Sequence, residues 1–204
     1  MKILIVGASG TIGSAVADRL AGQHTVVRAS RHGNVRVDVR DPSSLEAVLR
    51  DMSVDAVVAC AGDVMEMRER VMGPLTNLGE AQFQYGLQRL ISELALVQLC
   101  GKYLPDGGSL TLTTGQLSSQ PMPGTTVASI IGAGVESLVR SAALEMPRGI
   151  RVNAVSPGFV KETMEKLGMD SQAGIPAATL AKFYEQCVEG AINGVIINPM
   201  ENRI

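Results

Sequence analysis

A short apolar run, Lys2-Ile3-Leu4-Ile5-Val6, leads without a spacer into Gly7-Ala8-Ser9-Gly10-Thr11-Ile12-Gly13. A buried strand ending in Gly-x-x-Gly-x-x-Gly, with a helix following from Ser14 to Ala21, is a strand–turn–helix built to seat a dinucleotide. Each glycine has a mechanical task. The first permits the tight turn, the second lets backbone approach a pyrophosphate, and the third lets helix and strand pack closely. The helix that follows presents unpaired N–H groups and a partial positive charge to the phosphates. Gly7, Ser9, Gly10, Thr11, Ile12 and Gly13 are therefore the expected pyrophosphate site.

The rest of the chain alternates in the way such a turn requires. Short apolar or β-branched runs occur at Lys2–Val6, Thr25–Ala29, Asp55–Ala59, Ser109–Thr113, Arg151–Val155 and Val195–Ile197, with a weaker one at Val35–Val37. Longer segments with helical spacing lie between them. One begins at Pro42 behind Asp41, an N-cap followed by proline at the first helical position. The longest runs from about Gly79 to Tyr103, others from about Val127 to Met146 and from about Ala177 to Val188. Strands linked by helical crossovers give an α/β architecture, a doubly wound parallel sheet of about seven strands with helices on both faces. Residues 160–176 form an irregular excursion with a short helical piece, Lys161–Leu167, which suits either a lid or a solvated loop. No linker or repeat divides the chain, so 1–204 is expected to be one cofactor-binding domain.

Composition excludes several functions. A net charge of −2 with no Lys/Arg run argues against nucleic acid. No apolar stretch is expected to reach the roughly 18–20 residues needed to span a bilayer. The five-residue apolar opening is too short for a signal peptide, so the expected location is cytoplasmic. Cys60, Cys100 and Cys187 are widely spaced and odd in number, which fits buried apolar residues rather than disulfides or a metal site. With only His24 and His32 beside them, no metal is expected.

At this point the chain resembles the short-chain dehydrogenase/reductase family over nearly its whole length, with the Rossmann-type fold of that family. Cys60-Ala61-Gly62 follows the fourth strand, where the family usually has Asn-Asn-Ala-Gly. Gly108 to Gly115 corresponds to the fifth strand and its catalytic Ser. Gly149-Ile150-Arg151-Val152-Asn153-Ala154-Val155-Ser156-Pro157-Gly158 matches the sixth strand and its Pro-Gly turn, and Asn193 to Asn198 the last strand. The resemblance implies that Cys60, Ala61 and Gly62 lie near the adenosine ribose, and that Pro157, Gly158 and Val160 border the nicotinamide. It also implies a homodimer or homotetramer through the Gly79–Tyr103 and Val127–Met146 helices, whose apolar surface exceeds what one sheet face needs.

The resemblance fails at the chemistry. The family's helix after the catalytic Ser begins Tyr-x-x-x-Lys. Here the register carried by Gly132-Ala133-Gly134-Val135-Glu136-Ser137-Leu138 places Ala128 at the Tyr and Gly132 at the Lys. Carbonyl reduction needs a proton donor within hydrogen-bond reach of the oxygen, and neither residue is one. The remaining candidates are Thr114, or Thr113 one residue earlier. A threonine hydroxyl is a poor general acid unaided. Arg89, near the family's Asn, suits binding an anion or stabilising an oxyanion, and equally a helix-face arginine paired with Glu93 at i+4. Nothing in the sequence places Tyr85, Tyr103 or Tyr184 at the site.

The second strand ends in Ser30-Arg31-His32, and the first acid beyond it is Asp38. An acid at the strand end takes both ribose hydroxyls of NAD and repels a 2′-phosphate; a hydroxyl and a guanidinium suit that phosphate. NADP(H) is therefore the expected cofactor. Asp38-Val39 resembles the family's adenine-binding step, with a helix cap as the competing use of Asp38. The functional expectation is an NADP(H)-dependent oxidoreductase with a degenerate or relocated site, acting on a small carbonyl, alcohol or enone. The alternative is a non-catalytic NADP(H)-binding redox sensor or partner subunit.

Overall fold

Continuous apolar runs of about five residues suit strands covered on both faces, and the chain uses them that way. A computed structural model describes residues 1–62 and 64–201. The strands are β1 (Lys2–Val6), β2 (Thr25–Ser30), β3 (Val35–Arg36), β4 (Ala56–Ala59), β5 (Ser109–Thr113), β6 (Arg151–Val155) and β7 (Ile196–Ile197). They form one seven-stranded sheet in the order β3-β2-β1-β4-β5-β6-β7, and every pair is parallel.

The helices are α1 (Thr11–Leu20), α2 (Pro42–Met52), α3 (Val64–Val71), α4 (Glu80–Tyr103), α5 (Thr126–Glu145), α6 (Lys161–Lys166) and α7 (Ala177–Glu189). Side chains alternate across a strand, and this sorts β1 between two cores. Ile3 and Ile5 pack with Val16, Leu20, Tyr184 and Val188 of α1 and α7. Leu4 and Val6 face the opposite layer, built with Leu45 and Leu49 of α2, Leu96 of α4 and Val135 of α5. Helices therefore cover both faces, as expected.

Local chemistry sets several boundaries. Asp41 Oδ1 accepts the Ser43 N–H at 3.1 Å and caps α2, whose first residue is Pro42. Asn153, fully buried in β6, takes the Val195 N–H at 3.1 Å and donates to the Ile192 carbonyl at 2.8 Å, which fastens the last strand.

One expectation needs correction. The 20-residue α5 is long and apolar enough to cross a bilayer by length and composition, contrary to the sequence reading. It instead lays Val127, Ile131, Val135 and Val139 onto the sheet. α3 has no counterpart among the segments of helical spacing. Its Glu66, Arg68, Glu69 and Arg70 dilute the apolar spacing, yet it forms a wall of the principal cleft.

Candidate active site

Ligands of doubly wound sheets bind beyond the carboxyl ends of the strands, where the winding reverses. Here that point lies between β1 and β4, since β2 and β3 continue the sheet in one direction and β4 to β7 in the other. A cleft of about 570 Å³ opens there. A smaller hollow of about 370 Å³, among Asp55, Asp106 and Arg151, includes residues at the amino ends of β4, β5 and β6.

The glycine turn forms the cleft floor, and its glycines are demanded by geometry. Gly7 has φ of +86°, and a Cβ on it would stand 2.7 Å from the Ala61 backbone nitrogen. A Cβ on Gly13 would lie 2.2 Å from the Gly7 carbonyl oxygen. Backbone thus meets backbone on both sides of the turn, which no other residue permits. α1 is capped by Gly10, which has no side chain to satisfy the first amides, and there is no acid in its first turn. The first bond of the helix runs from the Ser14 N–H to the Gly10 carbonyl at 2.9 Å. The cradle fits a diphosphate in contour and in donor chemistry.

Most of the predicted cofactor residues meet in this cleft. Gly7, Ser9, Gly10, Thr11, Ile12, Ser30, Arg31, Asp38, Val39, Cys60, Ala61 and Gly62 all line it. Gly13 sits behind them, against Gly7. Pro157, Gly158 and Val160 are not among the lining residues. The Pro157 carbonyl accepts the Gln116 N–H at 3.1 Å, Gly158 faces Gln116 and Met200, and Val160 is buried beside Ile175.

At the β2 end, Asp38 does not cap α2, which Asp41 does. Its carboxylate instead accepts the Arg40 N–H at 3.0 Å and the guanidinium at 3.2 and 3.3 Å. These hydrogen bonds hold the Asp38 carboxyl below its ordinary value, against a smaller opposing effect of burial. Arg40 also stands 3.9 Å from Glu66, which pairs with Arg70 at 3.1 Å, and Arg70 lies 5.3 Å from the centre of the Tyr85 ring. Arg40, Glu66, Arg70 and Tyr85 all line the cleft. Arg40 could have been suspected from its place two residues after Asp38. The α3 side chains carried no local signal.

Arg89 lies at the cleft wall, where it donates to the Ala61 carbonyl and to Glu93 Oε1, the latter at 3.1 Å. The i,i+4 pairing considered from the sequence is thus present, in a buried setting. Glu93 is only 5% exposed, and its Oε2 has no partner among the described residues. Burial pushes the Glu93 carboxyl up, against the downward pull of Arg89.

The two threonines part company. Thr113 Oγ1 donates to the Ala59 carbonyl at 2.7 Å and lies 2.9 Å from the hydroxyl of Tyr184, a fully buried phenol. Burial raises Tyr184 well above the ordinary phenol value. Thr114 points the other way, with Oγ1 donating to the Gly132 carbonyl at 3.2 Å. A Cβ on Gly132 would stand 3.3 Å from Thr114 Oγ1 and 3.2 Å from Ser118 Cβ. Thr114 and Ser118 therefore occupy the space into which a side chain at position 132 would grow. Ser118 also donates to Glu136, which the sequence reading did not single out. Ala128 is buried at 6% exposure. Tyr103 donates to Glu46 at 2.6 Å, while Tyr85 is the one phenol in the cleft among the described residues.

Comparison with known proteins agrees with this architecture. A family model described as enoyl-(acyl carrier protein) reductase matches residues 7–184. The 3-oxoacyl-(acyl-carrier-protein) reductase FabG of Salmonella typhimurium is 30% identical over 203 residues, spanning 85% of this chain and 80% of that protein. The solved structure of the protein lin1944 from Listeria innocua is 36% identical, with a TM-score of 0.87 over 97% of this chain and 98% of that one. A small-chain dehydrogenase solved in complex with NADPH shares the fold at 24% identity and a TM-score of 0.83, over 97% and 95% of the two chains. The glycine turn at the switch point, the all-parallel sheet and the match over most of the length lead to one assignment: this chain belongs to the short-chain dehydrogenase/reductase family of oxidoreductases.

Proposed function

We propose that residues 1–204 form a single NADP(H)-binding domain acting as an oxidoreductase on a small carbonyl, alcohol or enone in the cytoplasm. The observation that carries the cofactor reading is the joining of the glycine turn to Ser30 and Arg31 in one cleft, with Asp38 of the same cleft held by Arg40. In this reading Ser9, Thr11 and Ile12 hold the diphosphate, and Ser30 and Arg31 hold the 2′-phosphate. Arg40 keeps Asp38 from repelling that phosphate. When bound, the nicotinamide supplies or accepts a hydride. Titration calorimetry with NADPH and NADH tests the preference, and equal or tighter binding of NADH refutes it.

The protein's own contribution to the chemistry is polar positioning. Thr114 offers a hydroxyl beside Gly132, and Arg89 offers a guanidinium at the cleft wall fixed by Glu93. A substrate oxygen hydrogen-bonded to Thr114 would draw its proton through water, since the positions corresponding to the family's Tyr and Lys are Ala128 and Gly132. NADPH oxidation against a panel of carbonyls and enones is the test. Turnover that falls about 100-fold in Thr114→Val supports the relocated site.

The buried Ala128 and the filled space around Gly132 favour a second reading, a non-catalytic NADP(H)-binding redox sensor or partner subunit. Tight NADPH binding without turnover on any panel member selects it. In either reading the protein is a homodimer or homotetramer. Leu87, Ile91 and Leu94 on α4 and Ile130 on α5 are 55%, 56%, 43% and 49% exposed, an apolar surface suited to a second copy. A monomer by light scattering at micromolar concentration refutes this.

A further inference from the structure

Two positive groups meet at the glycine turn. Lys166, in the last turn of α6, donates from Nζ to Thr11 Oγ1 at 2.7 Å, across 155 residues of sequence. Thr11 is the first residue of α1, whose amino end carries about half a positive charge. Among the described residues, no carboxylate of α1's first turn offsets it, and none pairs with Lys166. An ammonium gains nothing from a helix amino terminus, and an anion placed between the two is attracted by both.

The approach is built into the backbone. The Lys161 N–H donates to the Ile175 carbonyl at 2.9 Å, both Glu162 oxygens accept the Ala177 N–H at 3.0 and 3.1 Å, and Met164 is buried. α6 is thereby seated, and Lys166 shares the cleft with Gly10, Thr11 and Ile12.

We infer that Lys166 is a ligand of the dinucleotide's diphosphate, exchanging the Thr11 hydroxyl for a phosphate oxygen. α6 then adds a cation to the backbone donors of the turn. This rests on the reading of the cleft as a dinucleotide site.

The test uses two probes, NADPH and 2′-AMP. The second carries adenine and the 2′-phosphate but no diphosphate. Lys166→Ala should weaken NADPH about tenfold, the worth of one charge-assisted hydrogen bond. Lys166→Arg should stay within about threefold of wild type, by keeping the charge. Affinity for 2′-AMP, measured by competition, should be unchanged in both. The salt dependence of NADPH binding should become shallower in Lys166→Ala. If wild type binds NADPH and Lys166→Ala binds it equally well, the inference is overturned while the dinucleotide reading stands. An equal loss of NADPH and 2′-AMP also overturns it, because Lys166 would then act on the fold or the general field. Wild-type protein that binds neither probe overturns the dinucleotide reading, and this inference with it.

Discussion

Replacing Glu93 by glutamine should stabilise the protein increasingly as pH rises. The carboxyl is 5% exposed, is held by Arg89 at 3.1 Å, and leaves Oε2 without a partner among the described residues. Burial outweighs the guanidinium, so the folded-state pKa lies above the ordinary 4.5. Between 4.5 and that raised value, the native state binds a proton that the unfolded state has released. Stability therefore falls as pH climbs through the window, by about 1.4 kcal/mol per pH unit at its steepest. For a chain of this size that is a loss of about 3–5 °C in Tm per unit. Glutamine keeps the shape and the hydrogen bond to Arg89 but cannot ionise, so Glu93→Gln escapes this loss. Thermal melts of both proteins between pH 4 and 8 should show Tm of the variant minus Tm of wild type rising above pH 4.5, then levelling. A difference that stays flat or falls with pH would mean that Arg89 outweighs burial, and the reasoning would be wrong.

Other perturbations probe separate parts of the structure. Arg31→Ala should weaken NADPH by roughly 1.5–3 kcal/mol while sparing NADH, as measured by calorimetry with both cofactors. Gly13→Ala drives a Cβ to 2.2 Å from the Gly7 carbonyl oxygen; it should lower stability by at least about 1–3 kcal/mol and abolish dinucleotide binding, measured by melting and titration. Thr113→Val removes the oxygen partner of the buried Tyr184 hydroxyl, so it should cost about 1–3 kcal/mol in denaturant unfolding. Any NADPH-dependent turnover should survive in Thr113→Val and fall in Thr114→Val.

Strands β1, β5 and β6 coincide residue for residue with their apolar runs, because strands covered on both faces must be continuously apolar and end at turns. Asp41 announced the start of α2 because an N-cap is a local interaction, complete within three residues. The glycine turn was legible in part for the same reason, since Gly13 is constrained by its near neighbour Gly7, whereas the approach of the Ala61 backbone to Gly7 comes from the tertiary fold. What locality does not reach was hidden. The two threonines at the end of β5 are equivalent on paper, and only the pleat sends Thr113 to Tyr184 on α7 and Thr114 to Gly132 on α5. The charges of α3 disguise a cleft wall, because an element that faces an opening needs only a narrow apolar stripe.

The parallel sheet and the glycine turn were thus readable in the order of the residues, being consequences of periodicity and short-range sterics, and the family was readable from the resemblance of its motifs. The partners of the charged groups were not. Arg40 settles on Asp38 and Glu66, Arg89 on the Ala61 carbonyl as well as Glu93, and Lys166 on Thr11. Long polar side chains reach several ångströms in any direction, and which groups come within that reach depends on how distant segments pack.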